Sequence, residues 1–558
     1  MKKFVNDPAV LVRESLAAQA RRPGVALLEQ HDVLVRTDRT PGQVAVVSGG
    51  GAGHEPAHAG YVGVGMLTAA VAGPVFTSPS VDAILAGLRA VAAPAGILLI
   101  VKNYTGDRLN FGIAAELLRA EGTPVEMVIV ADDVAIRSTG DHAGRRGIAG
   151  TVLVHKIAGA AAAAGASLDE VAELARGVAA AVRTMGVALD SCTLPGTEAP
   201  IRPLGRTEVE WGLGIHGEAG VERGDVVPAD AVVDRLLSKI VADLAPSGPM
   251  RLALLVNSLG ATPPVELDVI TRAALEWLER GGHVVERAWS GTLLTALDTP
   301  GVSLSLLQVD EALLGHLDAP TTAPAWPRST GAVAALTLLP VVAEQETDSG
   351  EPLGPDSAAR RAIEGVCRTL IAAEKELTEL DSQVGDGDLG LSLARGSQAV
   401  LAELDSLPAS PDAALRRISA ILRRVIGGTS GPLYAAGLLH ASNALTGRPS
   451  AAEWAVAFES GVAAIAELGG ARLGDSTMLD ALIPAAKAYA EQGRDPAARL
   501  DAAVEAAAAG ARSTVDATAR LGRASYLGER SVGIVDPGAH AVVIWLSALR
   551  DALRGEPA

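Results

Sequence analysis

The sequence contains little cysteine, few aromatic residues and no long uninterrupted apolar run. Its 558 residues include 2 cysteines, Cys192 and Cys367, which are too few for a disulfide framework or a zinc site. No apolar run is long enough to span a bilayer without interruption. Aromatic residues make up only 3% of a chain that is 49% hydrophobic, so alanine, valine and leucine must fill its cores. We therefore expect neither a disulfide-stabilised scaffold nor a membrane protein.

Positive charge is also scarce. The 47 basic and 65 acidic residues leave a net charge of −18, which argues against nucleic acid or an anionic membrane as a partner. An anionic substrate would have to be met by local cations or by a metal ion. The residues from Met1 to Pro8 lack the apolar segment of a signal peptide. Together these features indicate a cytoplasmic enzyme.

Three carboxylates interleaved with glycines form the most distinctive stretch. Asp381, Asp386 and Asp388 fall within eight residues, and converging carboxylates repel one another unless a cation lies between them. Oxygen ligands of this kind suit Mg²⁺ or Ca²⁺. An EF-hand is excluded because Ser392 and Ser397 stand where a bidentate glutamate is required. The motif indicates a Mg²⁺ site that also carries substrate phosphates, and a solvated acidic turn is the alternative.

The first part of the chain alternates between strand and helix patterns. The overall length suggests about three or four compact units. A short helix is predicted around Val10–Ala20, and an alanine-rich helix opens at Arg145–Gly150. Between them we predict strands and helices in alternation, at Val44–Ser48, Val81–Val91, Gly96–Val101, Leu109–Glu121 and Val125–Ala131. This alternation predicts an α/β subdomain with a parallel or mixed sheet over residues 1–189.

A second α/β subdomain is predicted at about residues 190–325. The segment Glu208–Glu218 alternates like a strand and then breaks. Further strands and one helix are expected at Leu252–Asn257, Val265–Arg280 (the helix), Gly282–Trp289 and Val302–Leu307. Proline, threonine and acidic residues recur from Ala319 to Pro355, and we place a linker at 331–355.

Beyond Asp356 the sequence shows helical periodicity in runs of alanine, leucine and arginine. The predicted helices are 357–377, 391–404, 411–426, 432–445, 451–468, 477–492, 496–517 and 537–554. Ala541–Trp545 is the segment where a strand is an alternative. We expect an all-α antiparallel helical bundle over 356–558, with the carboxylate stretch between its first two helices.

Polar residues follow two of the predicted strands. The strand ending at Ser48 leads into the glycine-rich segment Gly49–Pro56, which contains His54. The strand ending at Val101 leads into Lys102–Asp107. Ligands bind at the carboxyl ends of strands in open α/β sheets, so both segments are site candidates. The pattern G-x-G-x-x-G is absent from the first segment, which excludes a dinucleotide-binding fingerprint.

A histidine in a glycine-containing segment is a third candidate. His216 stands in Gly214-Ile-His-Gly217. A lone histidine is more often structural than catalytic, but the nearby glycines leave this ring accessible to a ligand. An imidazole nitrogen can add to a ketone carbonyl and give a covalent hemiaminal. The sequence leaves open whether His54, Asp107 and His216 converge.

Two glycine-rich turns in the helical half resemble phosphate-binding loops. Ile426–Pro432 and Gly474–Asp480 each lead into a predicted helix, whose first backbone N–H groups can hold a phosphate together with serine and threonine hydroxyls. No Walker A lysine follows, which excludes a P-loop NTPase. The alternatives are an ordinary interhelical turn and a simple N-cap by Asp475 or Ser476.

Together these motifs resemble those of the ATP-dependent dihydroxyacetone kinases, and the resemblance covers nearly the whole chain. The motifs stand in the same order as in that family, at Gly49–Tyr61, Lys102–Phe111, Gly214–Glu218 and Gly385–Asp388. The resemblance implies a DhaK-like ketose-binding kinase domain at 1–330 and a DhaL-like helical nucleotide domain at 356–558. It also implies a homodimer in which the helical domain of one subunit serves the substrate domain of the other.

The resemblance also implies roles for individual residues. His216 would hold the ketose through its carbonyl carbon, and Asp107 with His54 would handle the proton of the attacking hydroxyl. The implied ketose-binding residues are Gly53, His54, Lys102, Asp107 and His216. Asp381, Asp386 and Asp388 would bind two Mg²⁺ ions that bridge the phosphates of ATP. The implied ATP contacts are Gly428, Thr429, Ser430, Gly431, Thr477, Met478, Asp536 and Gly538.

Two residues depart from the family pattern, and several alternatives stay open. Ser476 stands where arginine or lysine is common, and Leu389 where a small or polar residue is usual. The ketose is dihydroxyacetone or a close C4 ketose such as erythrulose. Cyclisation of FAD to FMN and AMP is an alternative activity, and a ketose-binding regulatory protein is an alternative class, against which the three intact aspartates argue. A phosphotransferase-dependent subunit is disfavoured because both halves lie on one chain.

Overall fold

The structure of the chain is a computed structural model that describes residues 3–136, 144–328, 331–340, 350–491 and 495–555. The chain divides into two units, Met1–Leu338 and Leu339–Ala558. The division falls inside the segment 331–355 that the sequence predicts as a linker, of which residues 341–349 lie outside the described ranges. Among the described residues, no helix is both long enough and apolar enough to cross a membrane.

The first unit begins with a six-stranded mixed sheet. In spatial order its strands are β1 (Val25–Leu27), β2 (Val33–Arg36), β4 (Ala69–Val75), β3 (Ala45–Ala52), β5 (Ile97–Lys102) and β6 (Val125–Val130). Strands β3 to β6 run parallel, and β1 and β2 form an antiparallel edge. Alternate residues of β5 face opposite cores, because successive side chains of a strand point to opposite faces.

Strand β3 is longer than the sequence predicts because its glycines stay within the sheet. The predicted strand ends at Ser48, whereas β3 continues through three glycines to Ala52. A Cβ added at Gly49 would lie 2.3 Å from the carbonyl oxygen of Val71. Glycine is needed there because the neighbouring backbone lies too close for any side chain. The glycine-rich segment is thus an extended strand up to Ala52, two residues before His54.

A second six-stranded sheet completes the first unit. Its spatial order is β11 (Val284–Gly291), β10 (Arg251–Ser258), β12 (Gly301–Gln308), β7 (Arg183–Ala188), β8 (Glu208–Trp211) and β9 (Glu222–Asp225). Only the pair β10 and β11 is parallel among these described strands. Helices α6 (Ala229–Leu244) and α7 (Pro264–Arg280) pack on one face. Strand β7 precedes residue 190, where the sequence analysis places the start of the second subdomain.

The two sheets share one hydrophobic core. Ile100 from β5, Ile157 from α4 (Thr151–Ala163) and Leu255 from β10 belong to the same cluster of buried residues. Helices α1 (Leu11–Gln19), α5 (Leu168–Ala181) and α8 (Glu311–Asp318) contribute to it as well. Almost every residue of α4 is buried, which accounts for its alanine-rich composition. The sheets are therefore parts of a single unit.

The start of α4 differs from the prediction for a local reason. The helix begins at Thr151 rather than near Arg145. The buried carboxylate of Asp132 accepts hydrogen bonds from the backbone N–H groups of Ile148 at 2.7 Å and Gly150 at 2.8 Å. These bonds hold the preceding segment in an irregular conformation, since the side chain competes with helical hydrogen bonding.

Helix α3 (Thr105–Ala120) also starts earlier than the predicted Leu109. Asp107 therefore lies in the first turn of the helix, where the helix dipole favours a carboxylate. Helix α2 (Val81–Val91) matches its prediction, and Ser80 caps it by accepting a hydrogen bond from the backbone N–H of Ala83 at 3.2 Å. The sequence analysis predicts none of the strands β1, β2, β4, β7 and β9 and none of the helices α5, α6 and α8.

The described part of the second unit consists of helices. They are α9 (Ala358–Ala372), α10 (Glu374–Val384), α11 (Leu389–Ala402), α12 (Pro411–Val425), α13 (Ser430–Asn443), α14 (Ala451–Gly469), α15 (Met478–Ala490), α16 (Pro496–Ser513) and α17 (Pro537–Arg554), with short 3₁₀ turns between some of them. The predicted fold class, an α/β half followed by an all-α bundle, is confirmed.

Two predictions for the helical unit are wrong. The strand alternative at Ala541–Trp545 fails because this segment is part of α17, with Val542 and Leu546 buried on one helical face. The single helix predicted at 357–377 is two helices, since α9 ends and α10 begins around Ala373. Asp381 therefore lies in the last turn of α10, not in a loop between the first two helices.

Candidate active site

The loop after β3 presents His54 inside the first unit. Gly53 has a φ of 96°, and a Cβ there would lie 2.8 Å from the ring of Phe76, so only glycine fits without strain. The buried ring of His54 stacks on Phe76, with centroids 5.4 Å apart, and meets the ring of His216 edge-on at 4.7 Å. The two candidate histidines therefore converge.

The hydrogen bonding of His54 determines its tautomer. Its Nδ1 lies 2.8 Å from the carbonyl oxygen of Thr295, and a carbonyl can only accept, so Nδ1 carries the proton. The opposite nitrogen, Nε2, is buried without a hydrogen-bond partner among the described residues. Burial lowers the pKa of His54 well below its usual value, and the charge of Lys102 lowers it further. His54 is thus a neutral imidazole with a lone pair available on Nε2.

Glu218 determines the tautomer of His216. Its Oε1 lies 3.2 Å from Nδ1 of His216, and its Oε2 accepts the backbone N–H of His216 at 2.8 Å. Burial by itself raises the pKa of Glu218, but the hydrogen bond and charge of His216 outweigh it and lower the pKa to about 2. An ionised carboxylate on Nδ1–H leaves the lone pair on Nε2 of His216.

The segment around His216 is glycine-rich because the carboxylate packs against it. A Cβ at Gly214 would lie 2.1 Å from Oε2 of Glu218, and Gly217 has a φ of 77°. The ring of Tyr104 meets His216 edge-on, with centroids 4.4 Å apart. The ring of His216 is held by these contacts in one orientation.

Lys102 and Asp107 both lie next to Gly50 of the extended strand β3. A Cβ at Gly50 would lie 3.4 Å from both Lys102 Nζ and Asp107 Oδ2. Lys102 is fully buried, its Nζ has no hydrogen-bond partner among the described residues, and it lies 5.9 Å from the ring centroid of Tyr104. Burial lowers the pKa of Lys102, and the charge of Asp107 partly opposes this. An unsatisfied buried donor is costly, so this amine is suited to a ligand oxygen.

Sequence reasoning missed four residues that shape this part of the site. Phe76, Tyr104, Glu218 and Thr295 contact the two histidines. Glu218 is the last residue of the motif Gly214–Glu218, but the sequence analysis assigns it no role in the site. Thr295 acts through a backbone carbonyl, which its side chain does not reveal. Phe76 has a positive φ of 57°, a conformation that the sequence does not signal.

A cleft in the second unit contains the predicted nucleotide residues. All three aspartates line it, as do seven of the eight predicted ATP contacts: Gly428, Thr429, Ser430, Thr477, Met478, Asp536 and Gly538. Gly431 does not line the cleft. A Cβ there would lie 2.0 Å from the carbonyl oxygen of Ile426, so this glycine packs behind the loop and allows a close turn.

The three aspartates form a cluster suited to a hard cation. One carboxylate oxygen from each of Asp381, Asp386 and Asp388 lies within 4.8 Å of the others. Asp381 Oδ2 also accepts the backbone N–H groups of Asp388 at 2.9 Å and Leu389 at 3.2 Å. The first carboxylate on α10 therefore organises the loop that carries the other two. All-oxygen ligands with open positions fit Mg²⁺.

A cation of the chain also reaches this cluster. Arg523 forms an ion pair with Asp386 and lines the same cleft. The sequence analysis did not select it. Ser476, where the family commonly has arginine or lysine, is buried with a positive φ of 59° at the turn before α15. Arg523 thus supplies positive charge in a cleft where the side chain of Ser476 supplies none.

Asp536 is a partly buried acid that lines the cleft. Its Oδ1 caps α17 by accepting the backbone N–H of Ala539 at 2.7 Å. Burial raises the pKa of Asp536 to about 7, and the negative charges of Asp480 and Asp381 contribute. Leu389, the second departure from the family pattern, is buried at the start of α11 and replaces no carboxylate.

Comparison with known proteins places this architecture in a family. The Dak1 domain family matches residues 16–325, and the DAK2 domain family matches residues 383–551. The solved structure of the dihydroxyacetone kinase from C. freundii in complex with AMP-PNP and Mg²⁺ is similar, with a TM-score of 0.66, 36% identity and 99% of each chain covered. The chain belongs to the dihydroxyacetone kinase family.

Curated relatives of the dihydroxyacetone kinase family match the chain along its full length. A putative 3,4-dihydroxy-2-butanone kinase from Solanum lycopersicum is 43% identical over 99% of this chain and 98% of its own length. Triokinase/FMN cyclase from Homo sapiens is 43% identical over 99% of each. The predicted family and the predicted class of enzyme, a kinase that phosphorylates an alcohol group, are confirmed. The predicted cofactors, ATP and Mg²⁺, agree with the contents of the C. freundii complex.

Proposed function

We propose that this chain transfers the γ-phosphoryl group of ATP, with Mg²⁺, to a hydroxyl of dihydroxyacetone or a close C4 ketose such as erythrulose. The observation that carries the proposal is the pair of histidines, His54 and His216. Each has its Nδ1 engaged by an acceptor of the protein, and the rings meet at 4.7 Å. Two imidazoles with free Nε2 lone pairs in one enclosure suit the capture and deprotonation of a small carbonyl compound.

Capture of the ketose would form one covalent bond to His216. The Nε2 lone pair adds to the carbonyl carbon, and the carbonyl π electrons move to oxygen. The imidazole loses its Nδ1 proton to Glu218, whose carboxylate already accepts that N–H. The oxygen takes up one proton from water, Glu218 returns one to water, and the net change is the transfer of one proton from the ring to the oxygen. The product is a neutral hemiaminal. A molecule this small offers few atoms for binding energy, so one bond replaces many weak contacts and rejects polyols that lack a carbonyl.

Activation of the ketose hydroxyl would fall to His54 and Asp107. Nε2 of His54 and the carboxylate of Asp107 are the two acceptors for the hydroxyl proton, and the buried amine of Lys102 would donate to a ketose oxygen. Transfer of a phosphoryl group depends on positioning and charge neutralisation more than on covalent chemistry. The enclosure therefore mainly orients the hydroxyl oxygen.

The nucleotide would bind in the cleft of the second unit. Thr429 and Thr477 are the N-cap residues of α13 and α15, whose first N–H groups favour phosphates. Leu433, Ile465 and Met478 provide an apolar wall for the base. The aspartate cluster would hold Mg²⁺, which supplies neutralisation of the developing phosphate charge. Arg523 would leave Asp386 and contact a phosphate oxygen.

A second candidate activity is the cyclisation of FAD to FMN and AMP. Its support is the full-length match to a relative whose name includes FMN cyclase. The regulatory alternative is disfavoured because Asp381, Asp386 and Asp388 form an intact cluster. A homodimer, in which each helical unit serves the ketose site of the other subunit, and a cytoplasmic location remain predictions from the sequence.

A substrate panel tests the proposed function. The purified chain is assayed for ADP release with dihydroxyacetone, glyceraldehyde and both erythrulose enantiomers, and glycerol serves as the control without a carbonyl. We expect Mg²⁺-dependent turnover with at least one ketose and none with glycerol. A parallel assay with FAD and no ketose tests the second candidate. Absence of turnover with every carbonyl compound, or equal turnover with glycerol, would contradict the proposal.

A further inference from the structure

The carbonyl that orients His54 belongs to a loop that crosses from the second sheet. The loop Leu293–Leu297 follows β11 and pairs with the His54 loop. Thr295 N donates to the carbonyl oxygen of His54 at 3.2 Å, and Leu297 N donates to that of Gly53 at 2.7 Å. In return, His54 Nδ1 donates to the carbonyl oxygen of Thr295 at 2.8 Å. The position of His54 therefore depends on what holds this loop.

One side chain, Asn257, holds the loop. Its Oδ1 accepts the backbone N–H groups of Leu293 and Leu294, each at 2.9 Å. Its Nδ2 donates to the carbonyl oxygen of Leu294 at 2.7 Å and to Ser303 Oγ at 3.1 Å. Asn257 is fully buried near the end of β10. Its amide has two acceptor sites and two donors, and all four are used, three of them on the loop.

The same side chain also lies beside the second histidine loop. Asn257 lines a small internal cavity together with Gly214 and Ile215, the two residues that precede His216. Leu294 and Ser303, both hydrogen-bonded to Asn257, line this cavity as well. Burying an amide side chain in a core position costs free energy unless its polar atoms form hydrogen bonds. Those of Asn257 do so between the two histidine-bearing segments.

We propose that Asn257 is a positioning residue for the kinase reaction and acts through the carbonyl of Thr295 on the tautomer and orientation of His54. This inference rests on the proposed function, because the reaction served is proton transfer at His54. The groups that face the ring of His54 are Lys102, His58 and His216. The positive charge of Lys102 opposes a second proton on the ring but does not select the nitrogen that carries the first. The Thr295 carbonyl makes that selection.

Three variants separate positioning from a purely structural role. Asn257→Ala removes all four hydrogen bonds, and Asn257→Asp keeps an acceptor oxygen and, when protonated in this buried position, one donor. Ser303→Ala removes only the bond that does not involve the loop. We expect kcat to fall roughly 10- to 100-fold in Asn257→Ala, less than the roughly 10²- to 10⁴-fold that general acid–base catalysis contributes, because the ring is misplaced and not removed. The KM for ATP should be unchanged, Asn257→Asp should recover part of kcat, and Ser303→Ala should resemble the wild type.

A spectroscopic measurement tests the tautomer without relying on turnover. The full chain is labelled with ¹⁵N-histidine, and long-range ¹H–¹⁵N correlations of His54 are assigned with a His54→Gln variant. We expect the Nδ1–H tautomer in the wild type and loss of that single tautomer in Asn257→Ala. An Nε2–H tautomer in the wild type, or an Asn257→Ala variant with wild-type kcat and tautomer, would overturn the inference.

The two proposals can fail independently. If the wild type phosphorylates no ketose, the proposed function fails, and the tautomer of His54 still decides whether Thr295 orients the ring. If Asn257→Ala does not fold, the kcat of Asn257→Asp and the tautomer of His54 in the wild type still test the inference. Suppose that the loss of kcat in Asn257→Asp equals the fraction of the variant that is unfolded, and that His54 keeps its normal tautomer in the folded fraction. Asn257 would then serve stability alone, which would contradict the inference.

Discussion

The imidazole rings of His54 and His216 meet edge-on with their centroids 4.7 Å apart, and each donates its Nδ1 proton away from the other ring. The acceptor for His54 is a backbone carbonyl, and the acceptor for His216 is the carboxylate of Glu218. A carboxylate supports positive charge on the imidazole better than a carbonyl does. This difference suits His216 to nucleophilic addition, because that step places positive charge on the attacking ring.

Replacing His216 with alanine should separate ketose capture from nucleotide binding. We expect His216→Ala to raise the KM for dihydroxyacetone by about 10-fold or more, because one covalent bond supplies much of the affinity for so small a molecule. ATP affinity, measured by calorimetry, should be unchanged, because the predicted nucleotide residues belong to the other unit. His31→Ala, which removes a histidine outside the site, is the control. An unchanged KM for dihydroxyacetone would refute capture by His216.

Neutralising Asp386, one of the three proposed metal ligands, should have the converse effect. Asp386→Asn removes one charge at nearly constant volume and should reduce phosphoryl transfer by about 10²-fold or more, because the ion can no longer be held to neutralise phosphate charge. Dihydroxyacetone binding in the absence of ATP should persist. Asp412→Asn, in the first turn of α12 and outside the cleft, is the matched control. Near-normal turnover of Asp386→Asn with Mg²⁺ would refute the metal assignment.

Asp536, which lines the proposed nucleotide cleft, should make stability depend on pH. Asp536 has a folded-state pKa of about 7, above its unfolded value, so the folded state holds an extra proton between these values. The stability that this proton confers is fully present below the unfolded pKa and is lost as the pH rises through about 7.

The substitution Asp536→Asn tests this dependence in thermal melts without metal. The variant keeps an acceptor oxygen for the N–H of Ala539 and carries no charge to bury. We expect its Tm to exceed that of the wild type at pH 8 and to exceed it by much less near pH 5. Asp495→Asn changes an equivalent but exposed N-cap, on α16, and controls for capping. A Tm difference that is the same at both pH values would contradict a raised pKa of Asp536.

The segment between the two units should be the first site of proteolysis. The units divide at Leu338 and Leu339, and both residues, with Leu336, are exposed. Limited proteolysis should cut within residues 319–355 and leave two folded fragments, because cleavage concentrates where the backbone makes few contacts. Mass spectrometry of the fragments locates the cut. A first cut within the ketose-binding or the helical unit would show that the domain boundary is misplaced.

Strong local periodicity made much of the fold predictable. The buried strand Ile97–Lys102 and helix α2 follow directly from apolar pattern and a serine cap. Strands β1, β2 and β4 were missed because they are short or interrupted by glycine and proline, and pairing with neighbours holds them in the sheet. Strand β7 was also missed. Its place in the second sheet could not be assigned from the sequence, because β7 pairs with β12, which lies far along the chain.

The sequence predicts the site residues that contribute through their side chains, but not those that contribute through their backbone. The aspartates and histidines can be recognised in the sequence by their chemistry and by the glycines around them. The Thr295 carbonyl, the turn at Ser476 and the packing role of Gly431 depend on main-chain geometry. Arg523 was missed because the chain brings it to Asp386 from far along the sequence. Such positions become visible only when the fold is known.

Direct observation of the captured ketose tests the central claim. Dihydroxyacetone labelled with ¹³C at its carbonyl carbon is bound to the full chain without ATP and followed by ¹³C NMR. The account predicts that the bound label leaves the carbonyl region for that of a tetrahedral carbon bonded to nitrogen. This signal should persist in Asp386→Asn and disappear in His216→Ala. A saturated protein in which the bound label keeps its carbonyl resonance would contradict covalent capture by His216.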